Sequence, residues 1–198
     1  MKIFVDAGHG GIFSGAVAKA KAGNGFPIYE KDINLTAALL LEDILKGNGN
    51  DVFMTRREDQ NLGPTVSSDL KVRCQLEHAF RPDCFISLHC NSFTSPQARG
   101  FEIWTSLGLT DADSLAEQIW MKIDDVMDIN MRSDIEDGDH DREKHLYVLD
   151  HTKSPAVLLE MGFMSNPSDL ADLTREDHVL VMMKAVANAI ELWGVLHG

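Results

Sequence analysis

Phe85-Ile86-Ser87-Leu88-His89 sets a short, nearly continuous apolar run directly before a side chain that can bind a proton or a metal. Apolar residues on consecutive positions, over so few residues, fit a strand buried on both faces; a half-exposed strand would alternate. The same pattern returns in Ile3-Phe4-Val5, Val52-Phe53-Met54, Phe101-Glu102-Ile103-Trp104 and Ala156-Val157-Leu158-Leu159. Helical patterns lie between most of these runs. Leu35, Leu39 and Leu45 share a spacing near 3.6, with Asn34 as the expected N-cap and Lys46-Gly47 as the stop. Leu115, Ile119, Ile123 and Val126 mark a second helix, Val179, Met183, Val186, Ile190 and Trp193 a last one, and residues 68–80 a weaker one. Strands that alternate with helices predict an α/β fold: one domain, residues 1–198, with a mostly parallel sheet of about five to six strands and helices on both faces.

Composition sets the limits. The 198 residues are 44% hydrophobic and 25% charged, which suits a folded globule and excludes collagen-like or disordered chains. With 31 acidic and 18 basic residues the net charge is −13. Such a surface repels phosphate backbones and anionic lipid, and no local basic patch is visible, so neither nucleic-acid binding nor membrane insertion is expected. Cys74, Cys84 and Cys90 are odd in number and lack CxxC spacing, so they are read as free thiols of a reducing compartment. The N-terminus lacks the apolar stretch of a secretory signal, and no run reaches the roughly 18 apolar residues of a membrane span. A chain cytoplasmic when synthesised, and monomeric, is the expectation.

In parallel α/β sheets, ligands gather beyond the carboxyl ends of the strands. His9 lies just past the first strand, His89 closes the run 85–88, and Glu160 closes the run 156–159. Glu30 precedes the first helix, which a right-handed crossover starts on the same sheet edge. Two imidazoles and a carboxylate make a three-ligand zinc site with an open position, and a second carboxylate nearby is a general base.

Several blocks resemble one family, in order along most of the chain: Asp6-Ala7-Gly8-His9-Gly10-Gly11, Glu30-Lys31-Asp32-Ile33-Asn34-Leu35, Thr55-Arg56 with Asp59, Arg73, Ser87-Leu88-His89-Cys90-Asn91-Ser92, Gly100-Phe101-Glu102, and residues 155–163 with Asn166. The sequence resembles the zinc-dependent N-acetylmuramoyl-L-alanine amidases known as amidase type 3. The resemblance implies Zn2+ held by His9, Glu30 and His89, Glu160 as the catalytic carboxylate, and peptidoglycan as substrate. It implies hydrolysis of the amide between N-acetylmuramic acid and L-alanine, as in an endolysin or autolysin that meets the wall after release or export. A non-catalytic wall-binding relative should have lost some of these four residues. Another zinc hydrolase would differ only in substrate.

Other positions carry two readings each. Asp6 either supports a liganding histidine or caps the turn after the first strand. Asn91 either orients substrate or bonds local backbone. Cys90, next to His89, should point to the opposite sheet face and be buried. Arg56 and Arg73 either hold loops through carboxylate pairs or are solvated ends. His140, His145, His151 and His178 are expected on the surface. The acidic stretch 134–144 is expected as a solvated loop, the alternative being an autoinhibitory Glu136 or Asp139.

Overall fold

The structure, a computed structural model, describes residues 1–19, 25–135 and 138–197. The strands are β1 (Lys2–Ala7), β2 (Val17–Lys19), β3 (Pro27–Tyr29), β4 (Asp51–Met54), β5 (Cys84–Asn91), β6 (Glu102–Thr105), β7 (Arg142–Glu143) and β8 (Ala156–Phe163). The helices are α1 (Glu30–Gly47), α2 (Val66–Phe80), α3 (Asp111–Val126), α4 (Tyr147–His151), α5 (Pro167–Leu173) and α6 (Glu176–His197). Six strands form the central sheet in the order β4-β1-β5-β8-β6-β7, and β2 and β3 form a separate hairpin. Neighbours are parallel except β6 against β8. The expected α/β domain with a mostly parallel sheet is therefore present.

Period-2 alternation splits each buried run between two layers. Ile3, Val5, Ile86, Leu88, Val157 and Leu159 belong to the larger core, which α1, α3 and α6 cover. Phe4, Phe85 and Leu158 belong to a smaller one beside α2 and α4. There Phe53, Phe4 and Phe85 sit in one register row across β4, β1 and β5, with ring centroids 5.2 and 5.3 Å apart. Side chains stacked across strands this way fix the register as well as adding burial.

Four details correct the sequence reading. Asn34 is not an N-cap: α1 starts at Glu30, because the carbonyls of Ala16 and Ser14 accept from Glu30 N and Lys31 N at 3.0 and 3.2 Å. Tertiary contacts thus satisfy the first-turn amides, and Asn34 falls inside the helix, fully buried. Arg56 and Arg73 are not solvated ends; each is only 2% exposed. His140 is not a free surface residue, since it stacks on Trp120 at 3.8 Å and pairs with Glu117 at 2.9 Å. Finally, α6 is long and apolar enough by composition to cross a membrane, yet half of its apolar window is buried within this fold.

The acidic stretch is also more ordered than expected. Arg142–Glu143 adds an edge strand beside Trp104–Thr105, and Asp141 is buried, accepting from the Thr105 hydroxyl. Glu136 lies outside the described residues, while the Asp139 carboxyl neighbours that of Asp141. Burial, then the Asp139 carboxyl, push the Asp141 pKa up from 3.8 to about 7. A carboxyl raised in the folded state contributes its stability below its unfolded pKa and loses it as pH rises through the folded one. Asp141→Asn is therefore expected to remove a fall in stability between pH 3.8 and about 7. Denaturant midpoints of both proteins across that window check it, parallel profiles being the contrary result.

Candidate metal centre and active site

His9 stands at the carboxyl end of β1 with φ +61°, a left-handed conformation that costs a residue with a Cβ about 1 kcal/mol or more. Two buried guanidinium groups hold it there. Arg73 donates through Nη1 to Ala7 O at 2.9 Å and through Nη2 to His9 O at 2.8 Å. Arg56 donates to Ala7 O at 3.0 Å, Gly8 O at 3.0 Å and Lys31 O at 2.7 Å. Each carbonyl of the turn 7–9 is thus bonded by a fixed cation. Gly8 is required for a second reason: a Cβ there would lie 2.3 Å from the His89 ring.

Glu30, the first residue of α1, is 4% exposed and faces a ring of donors. Its Oε1 lies 3.1 Å from His9 Nε2 and 3.0 Å from His89 Nδ1, and accepts from Cys90 N at 3.1 Å and Asn34 Nδ2 at 3.3 Å. Its Oε2 accepts from Ala16 N at 2.8 Å. Burial alone would raise the Glu30 pKa, but hydrogen bonds and charge from His89 and His9 hold it far below the usual carboxylate range. The group is an anion under any physiological condition. One donor atom from each of His9, Glu30 and His89 falls within a 4.8 Å cluster. Two imidazole nitrogens and one oxygen of a fixed carboxylate are the donor types of a zinc site with an open position, so the residues present fit such an ion.

Glu160 is on β8, paired in register with His89 on one side and with Glu102 of β6 on the other. Its Oε2 is buried with no hydrogen-bond partner. Burial, then the nearby Glu30 and Glu102 carboxylates, push its pKa well above the usual value, with Lys144 opposing them. Beside the histidines a cavity of about 270 Å³ opens between α2 and α4, with Phe13, Val66, Leu70, Tyr147 and Val148 among its walls.

The remaining candidates fall elsewhere. Asp6 is 1% exposed and contacts neither histidine by hydrogen bond; it pairs with Arg73 Nη1 at 2.5 Å and accepts from Ser87 Oγ at 2.7 Å. Asn91 bonds Glu102 Oε2 at 2.8 Å and Ser92 N at 2.7 Å, so both ends of its amide are engaged within the protein. Cys90 is buried, its thiol 3.5 Å from Asn34 Oδ1, and burial pushes its pKa well up, which rules out a ready thiolate nucleophile.

Asn34, expected only as a cap, and Gly15, which no motif marks, both belong to the site. Asn34 Nδ2 ties Gly8 O to Glu30, and only its place one turn after Glu30 hinted at that. Gly15 has φ +65°, and a Cβ there would lie 2.4 Å from Glu30 Oε2 and 2.7 Å from His9 Cδ2. Gly15→Ala should therefore displace two of the three clustered side chains. A loss of divalent-metal affinity of about 10- to 100-fold is expected, measured by competition with a chromophoric chelator. Unchanged affinity would show that the loop gives way instead.

A family model described as N-acetylmuramoyl-L-alanine amidase matches residues 3–192. The chain is 32% identical over 191 residues to the uncharacterized protein YqiI of Bacillus subtilis (strain 168), covering 96% of this chain and 82% of that one. It is 29% identical over 177 residues to the germination-specific N-acetylmuramoyl-L-alanine amidase of the same organism, covering 84% and 68%. Its fold superposes on the crystal structure of the N-acetylmuramoyl-L-alanine amidase from Clostridium difficile 630 with a TM-score of 0.85 at 25% identity, covering 100% of this chain and 98% of that one. Carried by a family match over nearly its whole length and by a fold shared from end to end, the chain belongs to the N-acetylmuramoyl-L-alanine amidase family of enzymes.

Proposed function

We propose that this enzyme hydrolyses the amide between N-acetylmuramic acid and L-alanine in peptidoglycan through a zinc ion held by His9, Glu30 and His89, with Glu160 as general base. The observation that carries this is the meeting of those three donors, from three separate segments of the chain, within 4.8 Å and one strand from an unpartnered carboxylate oxygen. When bound, zinc would supply Lewis-acid polarisation and make a water acidic enough to lose a proton to a base at neutral pH.

Glu160 takes the proton of the attacking water and returns it to the departing alanine amine, serving as base and then as acid. Its Oε2 has no hydrogen-bond partner within the protein, which leaves that oxygen free to take a proton and to give it back. Glu30 holds the two imidazoles at fixed distances, and Arg56 and Arg73 keep the His9 turn from relaxing. Residues 1–198 form one catalytic domain. The substrate is wall peptidoglycan, with neither nucleic acid nor membrane insertion involved. The chain acts as a monomer, made in the cytoplasm and meeting the wall after release or export.

Purified cell walls incubated with the protein test this. New alanine amino termini should appear, disappear on treatment with chelator and return on adding zinc. Release of new reducing sugar ends, or turnover that ignores the chelator, would contradict it.

A further inference from the structure

One face of the sheet carries the site outward strand by strand. His89 on β5 pairs with Glu160 on β8, Glu160 with Glu102 on β6, and Trp104, two residues beyond Glu102 on the same face, with Arg142 on β7. At the far end three cations gather in a chain whose net charge is −13. Arg142 and Lys144 lie over the Trp104 ring, 5.3 and 5.9 Å from its centroid, and Arg132 lies 5.3 Å from that of Phe163. Arg132 Nε and Arg142 Nη1 share one carboxylate oxygen, Glu102 Oε1, at 2.6 and 3.7 Å. Arg142 Nε has no hydrogen-bond partner. Lys144 is exposed. Two of the three cations are thus drawn together around one carboxylate, that of Glu102. Basic residues scattered over residues 132–144, within the most acidic part of the sequence, are brought to one ridge by β7 and the segment entering it.

We propose that the ridge of Arg132, Arg142 and Lys144 binds carboxylates of the stem peptide, so that the peptide arm of the substrate runs from the His9, Glu30 and His89 cluster past Glu160 towards β7. This rests on the amidase reading above. The chemistry of the substrate decides which arm. Once the lactyl carboxyl of N-acetylmuramic acid is committed to the amide, the N-acetylated sugars carry no charge, whereas the peptide keeps free carboxylates. A cationic ridge therefore selects the peptide. The span agrees: strands about 4.8 Å apart put β6 roughly 10 Å and β7 roughly 14 Å from β5. An extended peptide covers about 3.3 Å per residue, so with the reach of an arginine side chain the ridge meets carboxylates on the second and third residues beyond the scissile amide.

Two soluble substrates test it, an N-acetylmuramoyl tripeptide with its carboxylates free and the same compound amidated at each of them. The zinc-loaded enzyme should favour the free acid in KM by on the order of tenfold, at similar kcat. Arg142→Gln and Lys144→Gln should each reduce that preference, and Arg142→Lys should keep most of it. Lys144 is exposed, so its replacement leaves folding out of the question. Calorimetric binding of the free tripeptide, acid against amide, asks the same without turnover. Binding that discriminates while neither muramoyl compound is hydrolysed would overturn the amidase reading and leave the ridge standing. A wild-type enzyme blind to amidation, or variants that weaken both forms equally, would overturn the ridge.

Discussion

Glu160→Gln is expected to lower kcat by about 10²- to 10⁴-fold while leaving KM and zinc affinity nearly unchanged. The substitution keeps the shape of the side chain and removes only its capacity to carry a proton. Glu160 Oε2 has no hydrogen-bond partner, so no bond is broken by exchanging that oxygen for an amide group. Glu160 stands in the register position next to His89, and the donor cluster of His9, Glu30 and His89 does not include it. Removing a buried like charge beside Glu30 and Glu102 should also spare the fold. Steady-state kinetics with a zinc count on the same preparation separate the cases: a structural role would move zinc content or KM together with kcat, whereas loss confined to kcat marks a proton-transfer role.

Arg73→Met should produce the largest loss of stability, about 3–5 kcal/mol, because it strands two buried carboxylates at once. Arg73 Nη1 meets Asp6 at 2.5 Å and its Nε and Nη2 meet Asp69 at 2.8 Å, with all three residues at most 4% exposed. At roughly 2–4 °C per kcal/mol for a domain of this size, Tm should fall by about 10 °C. The pH dependence gives a second reading. Burial would raise the Asp6 pKa, but the Arg73 charge and the Ser87 hydroxyl lower it below 3.8. A lowered carboxyl contributes stability above its unfolded pKa and loses it as pH falls through the folded one. Wild-type protein should therefore keep this contribution down to about pH 3.8, and without Arg73 the acid-side loss should start at higher pH. Metal affinity should also drop, since the His9 carbonyl loses its donor. A variant with wild-type Tm and an unshifted acid limb would remove the ion cluster from the account.

What the sequence disclosed follows from the kind of signal involved. The buried parallel strands were legible because burial on both faces leaves uninterrupted apolar runs, as in 85–88 and 156–159. Positions at strand ends followed, so His9, His89 and Glu160 stood out by place, while the roles expected of them came from the family resemblance. Signals that depend on contacts between distant segments were not legible. The start of α1 is set by the carbonyls of Ser14 and Ala16, not by a capping side chain, so Asn34 looked like the beginning of a helix it in fact supports from within. Arg56 donates only to backbone carbonyls, which leave no trace in residue types. β7 is two residues long, too short for any periodicity, and Asp141 is hidden by the acidic residues around it. The basic ridge was invisible for the same reason, because its members alternate with acids along the chain and separate from them only when β7 adds to the sheet.

A metal count on the whole chain and three single variants tests the central claim most directly. Protein stripped with chelator and dialysed against zinc should bind one equivalent per chain, and His9→Ala, Glu30→Ala and His89→Ala should each lose it while Glu160→Gln keeps it. Retention of a full equivalent by any of the three, or failure of the wild-type chain to bind zinc, would contradict the shared site.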